Sequence, residues 1–219
     1  MDGAAQKAIE ACVASDFPSH KFLGEESVEA GQAASKIALN SALRGGSDGW
    51  LWVVDPIDGT TNFASGLTLS AVSIGVAFKG ELQVGVVYDP FMDEMFACRK
   101  GLGATVNGWP IAVAQSPGHL EAEEVLSEAV VFAGSPPAVN SMMPSLRGVE
   151  ALMPRVRTIR MVGSAALMFA WVAAGRASAY FEADLNAWDS AAGALLIHEV
   201  RFGVLQGVDL WYLVQCILC

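Results

Sequence analysis

Trp52-Val53-Val54-Asp55-Pro56-Ile57-Asp58-Gly59-Thr60-Thr61-Asn62-Phe63 runs an apolar, β-branched segment into two carboxylates, a glycine and three hydrogen-bonding side chains. The apolar run predicts a buried strand from Trp50 to Val54 with Asp55 at its C-terminal end. Pro56 fixes its own φ and disfavours the helical region for Asp55, so Asp55 and Asp58 are held stiffly about one point. Such a corner suits a hard cation with oxygen ligands. If Gly59-Thr60-Thr61 opens a helix, its free N–H groups face the same place and bind a phosphate. Asp-Pro-x-Asp-Gly is also ordinary turn chemistry, because Asp, Pro and Gly are the commonest turn formers.

Toward the N-terminus, Ala8, Ile9, Cys12 and Val13 recur at helical spacing over residues 4 to 14, and Asp16-Phe17-Pro18-Ser19 ends that helix. A short strand, Lys21 to Leu23, follows, and residues 27 to 49, small, polar and glycine-containing, read as a surface excursion. Beyond the corner, AVSIGVAF, LQVGVVY and EMFACR, separated by turns, predict an antiparallel meander from Ala71 onward, with a further hairpin at Asn107-Gly108. After the polar stretch Gln115 to Glu124 the rhythm becomes strand (Ala129 to Ala133), helix, strand (Arg157 to Val162), helix (Ala165 to Ala174), strand (Ser178 to Phe181), helix (Ala187 to Glu199). The chain is expected to divide into an α+β lobe over residues 1–120, an α/β lobe over 121–199 and an atypical tail over 200–219.

A chain of 219 residues that is 53% hydrophobic and 16% charged can bury a sizeable core. Its net charge of −10, offset by no Lys/Arg cluster, argues against nucleic acid and membrane surfaces as partners. A small anionic substrate stays open, because bound divalent cations reverse the potential inside an acidic pocket. Cys12, Cys98, Cys216 and Cys219 are too few and scattered for a disulfide framework, which points to a reducing compartment. The terminal Cys-x-x-Cys has no partner pair and reads as incidental. Residues 1 to 15 carry no leader pattern, and the apolar stretch Phe202 to Cys219 is short for a membrane span.

Other acids have plain explanations as well as chemical ones. Glu25 and Glu26, in FLGEES after a short strand, are an acidic pair of the kind usually solvated at a turn. Asp189, three residues after Asn186, resembles a helix-capping arrangement. His20, His119 and His198 show no ligand spacing.

GEES (Gly24 to Ser27), DPIDGTTNF (Asp55 to Phe63), VGSAAL (Val162 to Leu167) and WDSAAGALL (Trp188 to Leu196) occur together in the order and rough spacing of the inositol monophosphatase family, which the chain resembles from Asp2 to Glu199. The resemblance implies an α+β fold layered as an αβαβα sandwich, with a longer insertion than usual at residues 28 to 49. It implies Mg²⁺-dependent hydrolysis of inositol monophosphate or a similar small polyol or sugar phosphate; a histidinol phosphatase is an alternative. Carried over, Glu25, Asp55, Asp58, Asp189 and the carbonyl of Ile57 are metal ligands, and Thr60 stands with Glu25 beside the attacking water. Glu25, Asp58 and Thr60 are the catalytic set that the resemblance assigns. Gly59, Thr60 and Thr61 cradle the phosphate, while Gly163, Ser164, Ala165, Glu182 and Asp189 hold substrate hydroxyls. A homodimer is implied, in the cytoplasm, or in an organelle should a transit peptide precede this sequence.

Measured against the family pattern, the chain is expected to lack an N-terminal helix, a hairpin and a lysine, with Asp2 aligned to a peripheral metal carboxylate. Val200 to Cys219 departs from the pattern at the other end. These departures predict poor solubility and keep open a second role, as a catalytically impaired partner subunit or metal-binding module.

Overall fold

The computed structural model describes residues 1–44, 48–111, 122–136 and 138–201. The strand expected at Trp50 continues through Pro56 to Asp58 (β2, Trp50–Asp58). A proline inside a paired strand needs a break in the ladder, and one is present. Asp55 pairs with Ser73 and Asp58 with Ala71, so β2 carries one extra residue between them. This bulge has a chemical consequence. Side chains three apart on a regular strand point to opposite faces, and one inserted residue turns Asp55 and Asp58 to the same side.

β1 (Lys21–Gly24) pairs parallel to β2, and β3 (Ala71–Phe78), β4 (Glu81–Asp89), β5 (Glu94–Arg99), β6 (Ala104–Val106) and β7 (Trp109–Pro110) continue as an antiparallel meander, giving seven strands in chain order. The hairpin at Asn107-Gly108 joins β6 to β7. A second sheet of three parallel strands has the order β10 (Ala179–Phe181), β8 (Val130–Ala133), β9 (Thr158–Arg160). The helices are α1 (Asp2–Asp16), α2 (Gln32–Arg44), α3 (Thr60–Ala64), α4 (Ala122–Ser127), α5 (Val139–Leu152), α6 (Ala165–Ala173) and α7 (Ala187–Arg201).

α2 corrects the expected surface excursion over residues 27 to 49. Its alanines are strong helix formers, and the small stripe Ala38, Leu39 and Ala42 packs on Leu23, Leu51, Val53 and Trp188. A stripe built mostly of alanine is apolar enough to bury, yet it lacks the bulk that marks an amphipathic helix in sequence.

The layers follow from which residues face which. α1 lies on the outer face of the large sheet, where a Cβ on Gly24 would meet Gln6 and where Phe17, just past the helix, lies tilted against Trp52. On its inner face Val87 and Phe96 pack with Ala166, Leu167 and Ala170 of α6 and Ala192, Leu195 and Leu196 of α7. Met168 and Phe169 on the other side of α6 meet Phe132 and Tyr180 of the small sheet. Val149 and Leu152 of α5 cover that sheet's far face at Val131, Ala133 and Phe181. The result is the α+β, αβαβα sandwich expected. The polar stretch proposed as a lobe boundary lies largely at residues 112–121, outside the described ones, as do His119 and the tail 202–219 with Cys216 and Cys219.

α7 sits unusually close to the sheet because glycines lie beneath it. Gly75 and Gly85 are cross-strand partners, and a Cβ on either would come within 2.7 Å of α7, at Ala191 Cβ and at the Ala192 carbonyl oxygen respectively. Gly85→Val is therefore expected to push α7 outward at a cost of about 1–3 kcal/mol. Thermal unfolding should show a midpoint lower by roughly 3–10 °C, and an unchanged midpoint would contradict this seating.

Candidate active site

Strand β2, the start of α3, the end of β1 and the start of α7 converge on one corner. Asp55 and Asp58 are buried, 2% and 6% exposed, and each offers an oxygen within 4.8 Å of the others and of Asp189. The local backbone is built to hold them. The Ile57 N–H donates to Asp55 Oδ1 at 3.0 Å, and the Thr60 hydroxyl donates to the Ile57 carbonyl at 3.0 Å. Asp58 is gripped from the other side by α6: the Ser164 hydroxyl and the Ala166 N–H, 2.9 Å away, both donate to its Oδ2. Asp189 accepts from the Asn186 N–H at 2.6 Å, which is the capping arrangement the sequence suggested. Capping and membership of the cluster are thus compatible uses of one carboxylate.

Glu25 enters through the sheet. The parallel register sets Gly24, the last residue of β1, opposite Val54, so Glu25 just beyond it comes beside Asp55, and the two carboxyl groups are hydrogen-bonded. Glu26 is exposed, and its N–H donates to Gln6 Oε1 at 3.0 Å. Gly59 holds φ 86°, and a Cβ there would lie 2.9 Å from the Leu69 carbonyl oxygen and 3.1 Å from that of Gly163. Only glycine fits both the left-handed turn and the space. Thr60 and Thr61 follow it, exposed at the start of α3.

The electrostatics are those of too many negative charges in too little water. Burial, then the charges of Asp58, Glu25 and Asp189, push Asp55 well above the usual carboxylate range. Burial and then Asp189 raise Glu25 to about 7, with smaller contributions from Glu26 and Asp2. Burial raises Asp58 to about 7 against the opposing bonds from Ser164 and Ala166, and Asp189 to about 6. The charges acting on Asp55 and Glu25 are other carboxylates, not cations. Buried like charges held together by a rigid turn are costly unless something positive joins them, and clustered hard oxygens suit a hard cation.

Farther out, Glu182 is half-buried and Asp189 contributes to raising its pKa, after burial. Gly163, in a left-handed turn at φ 79°, precedes Ser164 and the buried Ala165. Asp55, Asp58 and Asp189 thus lie together with Glu25 beside them and Ser164 on Asp58, while Glu182 is close enough to Asp189 to feel its charge. It also shows supports that the sequence reading had not assigned. Asn62 is buried and its Nδ2 donates to the carbonyls of Leu69 and Val162, each at 2.8 Å, tying α3 to the segment before α6. Ser73, opposite Asp55, donates to the Trp188 carbonyl at 3.0 Å and fixes the first turn of α7. A lone serine in the apolar run AVSIGVAF was the available signal. His20 is no ligand here: it stacks on Phe17 and Trp50 and accepts from Trp52 Nε1 at 3.0 Å.

The sequence profile of the inositol monophosphatase family matches residues 1–205. The chain belongs to the inositol monophosphatase family. It is 37% identical over 208 residues to inositol monophosphatase 1 of Bos taurus, spanning 94% of this chain and 69% of that one. A protein of Pasteurella multocida named Nus factor SuhB is 36% identical over 200 residues, spanning 91% and 67%. The structure of inositol monophosphatase from Anabaena (Nostoc) sp. superposes with a TM-score of 0.72 at 32% identity, over 91% of this chain and 70% of that one. The family is one of metal-dependent phosphatases, and the carboxylate cluster offers hard oxygen atoms that could hold a metal ion. Among the described residues no helix is long and apolar enough to cross a membrane.

Proposed function

We propose that this inositol monophosphatase family member is a Mg²⁺-dependent phosphomonoesterase acting on inositol monophosphate or a similar small polyol phosphate. The observation that carries the reading is the rigid cluster of Asp55, Asp58 and Asp189, crowded with negative charge and joined by Glu25. These four carboxylates and the Ile57 carbonyl would hold Mg²⁺. Bound there, Mg²⁺ would supply Lewis-acid chemistry, acidifying a water and offsetting charge on the phosphoryl and leaving oxygens.

The rest is work for the chain's own groups. Thr60 spends its hydroxyl proton on Ile57, so its oxygen is left to accept from a water and orient it. Glu25 is the second acceptor for that water's proton. Gly59, Thr60 and Thr61 offer backbone N–H groups to the phosphate, with no Cβ on Gly59 to obstruct it. The Ser164 hydroxyl is engaged by Asp58, so hydroxyl recognition falls to the backbone at Gly163 and Ala165, to Glu182 and to Asp189. Phosphate release from inositol, sugar, histidinol and simple aryl monoesters, with Mg²⁺ and with EDTA, tests the reading. Metal-dependent release that favours the polyol esters is expected, and no metal-dependent release from any ester would contradict it. The relatives named Nus factor favour a second role, as a partner subunit, which would survive Asp55→Asn.

A further inference from the structure

Glu182 follows β10 and stands at the rim of the cluster, and its surroundings are more constrained than a solvent-facing acid needs. Tyr180, two residues earlier on β10, is 6% exposed, and its hydroxyl donates to Glu182 Oε2. The Tyr180 ring is fixed edge-on against Phe169 of α6, with centroids 4.8 Å apart at 86°. The Glu182 carboxyl also lies directly over Gly134, where any Cβ would come within 1.9 Å of its carbon. Among the described residues no other side chain is seen to bond to Glu182. One of its oxygens thus accepts from the tyrosine, and the other is left as an acceptor.

We infer that Tyr180 is a positioning residue that sets Glu182 against Gly134 so that its remaining oxygen accepts a hydrogen bond from a substrate hydroxyl. This rests on the phosphatase reading above and deepens it, because it ties preference for polyol esters to a residue that never touches substrate. An anionic oxygen held rigidly near Asp189 favours a neutral hydroxyl donor and repels a second anionic group on that side of the substrate. A tyrosine hydroxyl in a buried pocket can perform this task because it stays a donor: burial, then the charge of Glu182, hold its pKa well above the ordinary value.

The experiment compares Tyr180→Phe with the unsubstituted protein on inositol monophosphate and on phenyl phosphate, which has no hydroxyl to offer. A hydrogen bond to a charged group is worth enough for roughly a tenfold effect. The expected result is a KM for inositol monophosphate raised about tenfold with kcat held within about twofold, and unaltered kinetics on phenyl phosphate. Gly134→Ala, which displaces Glu182 without removing the tyrosine hydroxyl, should give the same split, and it serves if Tyr180→Phe fails to fold. Equal losses on both esters, a fall in kcat instead of a rise in KM, or no change would overturn the inference. Should the unsubstituted protein release no phosphate from any ester, the phosphatase reading fails by itself. Calorimetric binding of inositol to the two proteins then decides: weaker binding by the variant upholds the tyrosine's role, while equal binding or none by either refutes it.

Discussion

Replacing Asp55 by Asn is expected to lower metal-dependent phosphate release by at least about 1,000-fold, equivalent to about 4 kcal/mol of transition-state stabilisation. Asp55 is the member of the cluster on which all three other acids act, Asp58, Glu25 and Asp189 in that order. It is therefore placed to ligate any cation held toward Glu25 and any held toward Asp189. Asparagine keeps the shape and the bond from the Ile57 N–H but removes the charge, so the loss should fall on turnover more than on substrate binding. Steady-state kinetics at saturating Mg²⁺ measure it, and a drop of only a few-fold would refute the bridging position.

Without metal, the protein is expected to lose stability as pH rises from about 5 to 8. Glu25 and Asp58 are raised to about 7 and Asp189 to about 6, burial being the first cause in each. An acid with a raised folded pKa binds its proton more tightly in the folded state. Its contribution is fully present below the unfolded value near 4 and is lost as pH climbs through the folded value. Glu94, shifted the other way beside Arg176, lies near the surface and contributes little. The melting midpoint in EDTA should thus be at least about 5 °C lower at pH 8 than at pH 5. Mg²⁺ should reverse the trend at pH 8, by about 2.7 kcal/mol at a hundredfold excess over its dissociation constant, and do little at pH 5, where protons occupy the same oxygens. Asp55→Asn should stabilise the metal-free protein at pH 8, since it removes the most crowded charge. A metal-free midpoint that rises with pH would contradict the account of the cluster.

The parts of the molecule legible in sequence are those whose signals are local. The β2 run, the meander from Ala71 and the alternation after residue 124 show strong periodicities, and turn residues bound them. What escaped was produced by pairing at a distance or by weak side chains. The bulge between Asp55 and Asp58 exists only in the register with β3, yet it decides that both acids face one way. Glu25 looked like one half of a solvated pair because the parallel β1–β2 contact that buries it joins residues about thirty positions apart. α2 was hidden by its alanines. At Asp189 a local cap and a place in the cluster coincide, so neither reading of the sequence excluded the other. Tyr180 carried no sequence signal, because a buried tyrosine in a strand is ordinary until its hydroxyl is seen to have a carboxylate partner.

Everything proposed for this protein turns on the carboxylate corner being a divalent-cation centre. Anomalous scattering from crystals grown with Mn²⁺ in place of Mg²⁺ addresses it without depending on the substrate. Peaks bonded to oxygens of Asp55, Asp58 and Asp189, at roughly 2.0–2.6 Å as hard cations require, are the predicted result. Crystals saturated with Mn²⁺ that show ordered carboxylates and no peak among them would contradict it.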